Sequence, residues 1–210
     1  MADYTFYTNP MSRGQIVRWA LHEAGADYAQ VLVDFAKGSE ALAAVNPMRK
    51  VPTLVDHFGG TDRVVTECAA ICAYLAETEP AANLTPTDAE RADYHRWMYF
   101  AAGPIEQAVV ARSMGWDVPV DKQGMVGFGS YDRAIGALDQ HLTGRDWVCG
   151  SRFTMADVYV GSQVDWGLTF GSIAPTPAFA AYAERLQARA GYKAAKAIDH
   201  ALIEAAHKKD

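Results

Sequence analysis

Several signals are scarce in this sequence of 210 residues, and each scarcity removes a class of function. Basic side chains number 19 against 25 acidic ones, and no basic run relieves the net charge of −6. Neither a nucleic acid backbone nor an anionic membrane would find a surface to hold. No apolar run approaches the roughly 18 residues that a membrane-spanning helix needs. The opening MADYTFYT has no charged leader, apolar stretch or cleavage site, so no signal peptide is expected. There are only three cysteines, Cys68, Cys72 and Cys149, an odd number that argues against a disulfide framework and for the cytoplasm. Cys68 and Cys72 share a helical face, but no histidine follows at ligand spacing, so no metal is expected. The six histidines form no Ser-His-Asp or HExxH pattern, and no glycine-rich phosphate loop occurs. His22, His57, His95 and His141 are expected on solvated surfaces.

Half of the residues are hydrophobic, enough for a sizeable core. Residues 3–8 read as a strand rich in tyrosine, threonine and phenylalanine, closed by the turn Asn9-Pro10. Ile16, Val17, Ala20, Leu21 and Ala24 then recur at helical spacing, and Gly25 ends that helix. A second strand over 28–35 completes a βαβ unit with parallel pairing. After a short helix near 39–45, strands at 51–55 and 63–66 flank the Gly59-Gly60 turn, and a helix covers 69–77. The order βαβ-ββα predicts an α/β, thioredoxin-like domain with a mixed four-stranded sheet over residues 1–78. A linker over 79–87 leads to an all-α helical bundle over 88–210. Its entries are a capping box at Thr87–Glu90, another at Thr154–Asp157 with Phe153 and Val158 as a hydrophobic staple, and Thr176-Pro177.

Two segments of the first domain suggest a binding site. Val51-Pro52 opens a strand with a residue that has no N–H for the ladder, which suits an edge. With the peptide bond cis, the backbone of Val51 would face outward and could pair with an extended ligand. An ordinary trans proline at an edge fits the dipeptide taken alone. Fifteen residues on, Thr66-Glu67-Cys68-Ala69 marks a strand-to-helix junction. The helix start suits a carboxylate and Glu67 an ammonium group, so together they fit one end of an amino acid; a plain cap is the other reading.

The run Asn46-Pro47-Met48-Arg49-Lys50-Val51-Pro52-Thr53-Leu54, followed by Thr66 to Leu75, resembles the N-terminal domain of cytosolic glutathione transferases. Ser12-Arg13 with Val17-Arg18-Trp19 fits the first helix of that family. Trp147-Val148-Cys149-Gly150 and Phe153 to Asp157 are similar to its helical domain. The resemblance implies glutathione as co-substrate, with Val51 pairing with the cysteinyl unit beside a cis Pro52. Glu67 and Cys68 would take the γ-glutamyl end, and Lys50 and Lys37 would lie near the glycyl carboxylate. The chain departs from the family where Cys68 stands for a frequent serine, and where Arg49 stands for a frequent glycine.

Glutathione reacts as a thiolate, and a thiol with a pKa near 8.5 is only about 3% ionised at pH 7. Lowering that value by roughly two units takes about 2.7 kcal/mol of preferential anion stabilisation. Ser12, at the start of the first helix, is the first choice of donor, and Tyr7, at the end of the strand, is the alternative. Arg13 would add positive potential. Met11, Trp97, Pro104 and Ile105 are candidates for an apolar pocket holding a small hydrophobic electrophile, although each is as readily read as core. The resemblance implies a homodimeric, cytoplasmic detoxification enzyme. A glutathione-dependent isomerase, dehalogenase or peroxidase, or a non-catalytic binding or scaffold protein, remain alternatives on the same fold.

Overall fold

The computed structural model describes residues 2–208, which divide into two compact units. The first comprises residues up to Thr85 together with those from Ala188 on; the second is Pro86–Gln187.

In the first unit, strands β1 (Tyr4–Thr8), β2 (Tyr28–Leu32), β3 (Thr53–Asp56) and β4 (Arg63–Thr66) form one sheet in the order β2-β1-β3-β4. β1 runs parallel to β2 and antiparallel to β3, which is antiparallel to β4. The expected thioredoxin-like mixed sheet is therefore present. The helices of this unit are α1 (Gly14–Ala24), α2 (Glu40–Val45) and α3 (Cys68–Thr78). Alternation along β1 divides the core in two. Phe6 faces α1, with the Arg18 guanidinium 5.4 Å from its ring centre, while Tyr7 joins Val33, Leu42 and Val55 in the opposite cluster. Gly25 ends α1 at φ 69°, a left-handed conformation open to glycine at no steric cost. Ser39 caps α2 by accepting from Leu42 N–H at 3.1 Å.

β2 stops at Leu32, three residues short of the expected end, because Asp34 turns the chain. Its carboxylate accepts from the N–H groups of Ala36 and Lys37, and these hydrogen bonds lower its pKa.

The second unit contains α4 (Arg91–Phe100), α5 (Glu106–Ser113), α6 (Tyr131–Leu142), α7 (Met155–Thr169) and α8 (Pro177–Ala188). A π-turn over Ala101–Ile105 links α4 to α5, at the point where Pro104 has no N–H for a regular ladder. α7 is buried on most of its circumference and forms the axis of the unit. Its capping box is closed: Thr154 N–H donates to Asp157 Oδ2 at 2.8 Å. At the Thr87 entry, Glu90 reaches back to Thr87 N–H at 2.8 Å, one helical turn before α4 begins.

The last helix, α9 (Ala190–His207), was expected in the helical domain but packs on α1 and belongs to the first unit. The ties are polar. Arg189 grips Glu23 with contacts of 2.8 and 2.6 Å, and Lys196 donates to Gln15 at 2.8 Å. Arg18 Nε donates to Asp199 at 2.8 Å with both side chains buried. Trp19 meets Tyr192 edge to face. Such partners lie up to 181 residues apart in the chain, beyond any local pattern.

Only His95 of the four histidines fully meets the expectation of a solvated surface. His22, His57 and His141 are half-buried and hydrogen-bonded, to Tyr28, Thr5 and the Val148 carbonyl. Burial holds the imidazoles of His22 and His141 below their ordinary pKa.

Candidate functional site

The sheet register gathers the candidate residues of the first unit at one end. Tyr7 stands opposite Thr53, which stands opposite Thr66. The C-terminus of β1, the start of β3 and the end of β4 therefore lie side by side. The three segments that continue from them are 9–13, 50–52 and 67–68.

Asn9 shapes the first segment. Nearly buried, it donates to the Val33 carbonyl at 2.9 Å and accepts from Met11 N–H at 2.8 Å. The turn leaves Met11 64% exposed next to a half-buried Ser12. The Ser12 hydroxyl donates to the Asn9 carbonyl at 2.6 Å and accepts from Gly14 N–H at 3.0 Å. Ser12 is thus part of the helix entry as well as a candidate donor. The Tyr7 ring is packed in the cluster with Val33, Leu42 and Val55.

Asn46 does the equivalent work for the second segment. Its amide donates to the Lys50 carbonyl at 3.1 Å and to Thr53 Oγ1 at 2.9 Å, and its carbonyl oxygen accepts from Met48 N–H at 3.0 Å. This loop carries Arg49 at φ 53°, a left-handed conformation that a glycine would occupy more cheaply. The Val51-Pro52 bond is cis. Among the described residues, the main-chain N–H and C=O of Val51 make no hydrogen bond. The Lys50 side chain is exposed, and Lys37 forms an exposed ion pair with Asp34 at 3.5 Å.

The third segment is strained. Glu67 has φ 67° and ψ 121°, outside the regions that favour a side chain, and it precedes α3 without capping it. Its carboxylate is exposed and makes no hydrogen bond or ion pair among the described residues. The Cys68 thiol, nearly buried, donates to the Arg13 carbonyl at 3.7 Å and joins the start of α3 to the turn that holds Ser12. An exposed Arg13 stands on that turn. Cys72 is fully buried, which pushes its thiol well up, and burial pushes Cys149 up to about 12. Neither is a poised nucleophile.

In the second unit, Trp97 and Ile105 do not offer themselves to a ligand. Trp97 is 1% exposed and lies against the His141 ring at 4.2 Å, and Ile105 is fully buried at the end of the π-turn. Trp97 is core because the face of α4 that carries Tyr94, Trp97 and Met98 is the face that packs within the unit. Pro104 is half-buried.

Sequence reasoning missed the work of Asn9 and Asn46. The two asparagines act through partners 24 and 7 residues away, so their roles are invisible until the strands are aligned. Among the described residues no group of three or more His, Cys, Asp or Glu could hold a metal, and no helix is long and apolar enough to cross a membrane.

The glutathione S-transferase N-terminal domain model matches residues 2–77, and the corresponding C-terminal domain model matches residues 107–197. Glutathione S-transferase 2 of Schizosaccharomyces pombe is 30% identical over 189 residues, covering 82% of this chain and 78% of its own. A glutathione transferase from Methylococcus capsulatus superposes with a TM-score of 0.76 at 26% identity, covering 94% of this chain and 98% of that one. A sphingomonad glutathione S-transferase, solved with glutathione, gives 0.74 at 28% identity over 93% and 98%. Sequence models over both domains and full-length structural likeness agree: the chain belongs to the glutathione S-transferase family and is a glutathione S-transferase.

Proposed function

We propose that this enzyme binds glutathione at the end of the sheet marked by Val51 and Glu67. There it lowers the pKa of the thiol and directs the thiolate to a small hydrophobic electrophile. The observation that carries the reading is the main chain of Val51, unpaired among the described residues, at the same end of the sheet as the exposed carboxylate of Glu67. An extended cysteinyl unit would complete the ladder at Val51 as an added strand does. The γ-glutamyl ammonium would meet Glu67, and its carboxylate the uncapped start of α3 beside Cys68. Lys50 and Lys37 would face the glycyl carboxylate.

Ser12 is the donor to the sulfur. Its proton turns from the Asn9 carbonyl to the thiolate while its oxygen keeps the Gly14 N–H. A charge-assisted hydrogen bond of this kind, with the positive potential of Arg13, supplies much of the roughly 2.7 kcal/mol that a two-unit shift takes. The thiol proton leaves to solvent. The sulfur then forms a bond to the electrophilic carbon, and the leaving group departs with the bonding pair. Met11, exposed beside Ser12, is the apolar side chain that the first unit offers to the electrophile.

Three free cysteines support a reducing cytoplasm, and a detoxification role is proposed from the family. Association as a homodimer is proposed from the family; sedimentation should give twice the 22.8 kDa of the chain. The test of function is retention on immobilised glutathione followed by turnover of an aromatic halide. Retention with turnover is expected; retention without turnover across a broad panel of electrophiles contradicts the reading.

A further inference from the structure

Thr8, the last residue of β1, is fully buried, and its hydroxyl has no hydrogen-bond partner among the described residues. A buried hydroxyl left in this state carries an unmet desolvation cost, and native folds keep few of them. Valine has nearly the same shape and would avoid that cost, so the hydroxyl calls for a reason.

Its position supplies one. Alternation along β1 puts Thr8 on the same face as Phe6, toward α1. A side-chain carbon on Gly14 would collide with Thr8 Oγ1 and would lie 3.1 Å from Ser12 Oγ. Both hydroxyl oxygens therefore border the small space that the absent side chain of Gly14 leaves open. The Ser12 oxygen accepts one hydrogen bond, from Gly14 N–H, and so retains a free lone pair.

We propose that Thr8 is a positioning residue for Ser12: its buried hydroxyl donates to the Ser12 oxygen when the Ser12 proton turns from Asn9 to the glutathione sulfur. This inference rests on the glutathione reading above. Hydrogen bonds in a chain polarise one another, so the serine becomes a stronger donor to the thiolate. Gly14 is part of the device, because any side chain there would occupy the gap.

The test is the ionisation of bound glutathione, followed by ultraviolet absorbance across pH, in Thr8→Val and Thr8→Ser. Thr8→Val should raise the pKa of the bound thiol by about half a unit, roughly a threefold loss of thiolate below that pKa. The same factor should appear in kcat/KM at low pH and vanish at high pH. Its melting temperature should hold or rise, since an unpartnered buried hydroxyl has been removed. Thr8→Ser should restore the wild-type value, and in a Ser12→Ala background Thr8→Val should have no further effect. A wild-type pKa in Thr8→Val, or a shift that persists without Ser12, overturns the inference while leaving the glutathione reading intact. A wild-type protein whose bound thiol ionises as free glutathione does overturns both.

Discussion

Ser12 and Tyr7 differ in what their hydroxyls are doing. Ser12 is held by a 2.6 Å hydrogen bond to Asn9 in a turn that also carries exposed Met11, so a short rotation re-aims its proton. Tyr7 sits on the opposite face of β1, with its ring packed among Val33, Leu42 and Val55. Its hydroxyl is carried by a ring held in that cluster, whereas the Ser12 hydroxyl lies on the turn itself. Ser12→Ala should therefore cut kcat/KM by ten- to a hundredfold near neutral pH, the range of about 1.4–2.7 kcal/mol expected for one hydrogen bond to a charged group. Tyr7→Phe should leave it within about twofold, since no packing is lost. Steady-state kinetics with an aromatic halide checks both, and the reverse ranking would move the thiol donor to Tyr7.

At the scale of elements, the capping of α7 organises the second unit. Asp157 is fully buried, and it accepts from Val148 N–H at 2.7 Å, Thr154 N–H at 2.8 Å and the Tyr182 hydroxyl at 2.9 Å. Burial nevertheless outweighs these donors and pushes its carboxyl up to about 6. The folded chain then holds that proton more tightly than the unfolded chain, whose carboxyl titrates near 3.9. The contribution is fully present below about pH 4 and is lost as pH rises through about 6. Urea denaturation between pH 4 and 7 should show this decline in wild type, and Asp157→Asn should flatten it.

The local signals of these elements were legible. Gly25, Ser39, Thr154 and Thr176-Pro177 end or begin helices where turn and cap chemistry puts them, because that chemistry acts within four residues. The strand expected over 28–35 is shorter in the structure, because the Asp34 turn that ends it depends on two backbone donors. Trp97 was ambiguous for a comparable reason: one stripe of aromatics serves a core or a ligand equally well until its neighbours are known.

The molecule as a whole depends on contacts that the sequence hides. Val51-Pro52 and Glu67 could be singled out because each combines a backbone constraint with a distinctive residue type. Asn9, Asn46 and Thr8 could not, since their value lies in which strands come together. The same holds for α9, whose place against α1 rests on Arg18 and Asp199. Arg18 also donates to the Tyr28 hydroxyl at 3.1 Å, and burial holds the Asp199 carboxyl above its ordinary range despite the cation beside it. Asp199→Ala would leave a buried guanidinium without its carboxylate. It should cost about 3–5 kcal/mol in urea denaturation, whereas Arg18→Met combined with Asp199→Leu should be near neutral. Equal losses in the two variants would show that packing rather than charge pairing holds α9.

All of these scales meet in one claim, that the end of the sheet at Val51 and Glu67 takes up glutathione and makes its sulfur an anion. The most direct measurement is an ultraviolet pH titration of the thiolate in the wild-type protein saturated with glutathione. A bound-thiol pKa of about 6.5, two units below that of the free thiol, is the expected result. Glutathione that ionises near 8.5 in the presence of saturating protein, or that fails to bind, would contradict the account.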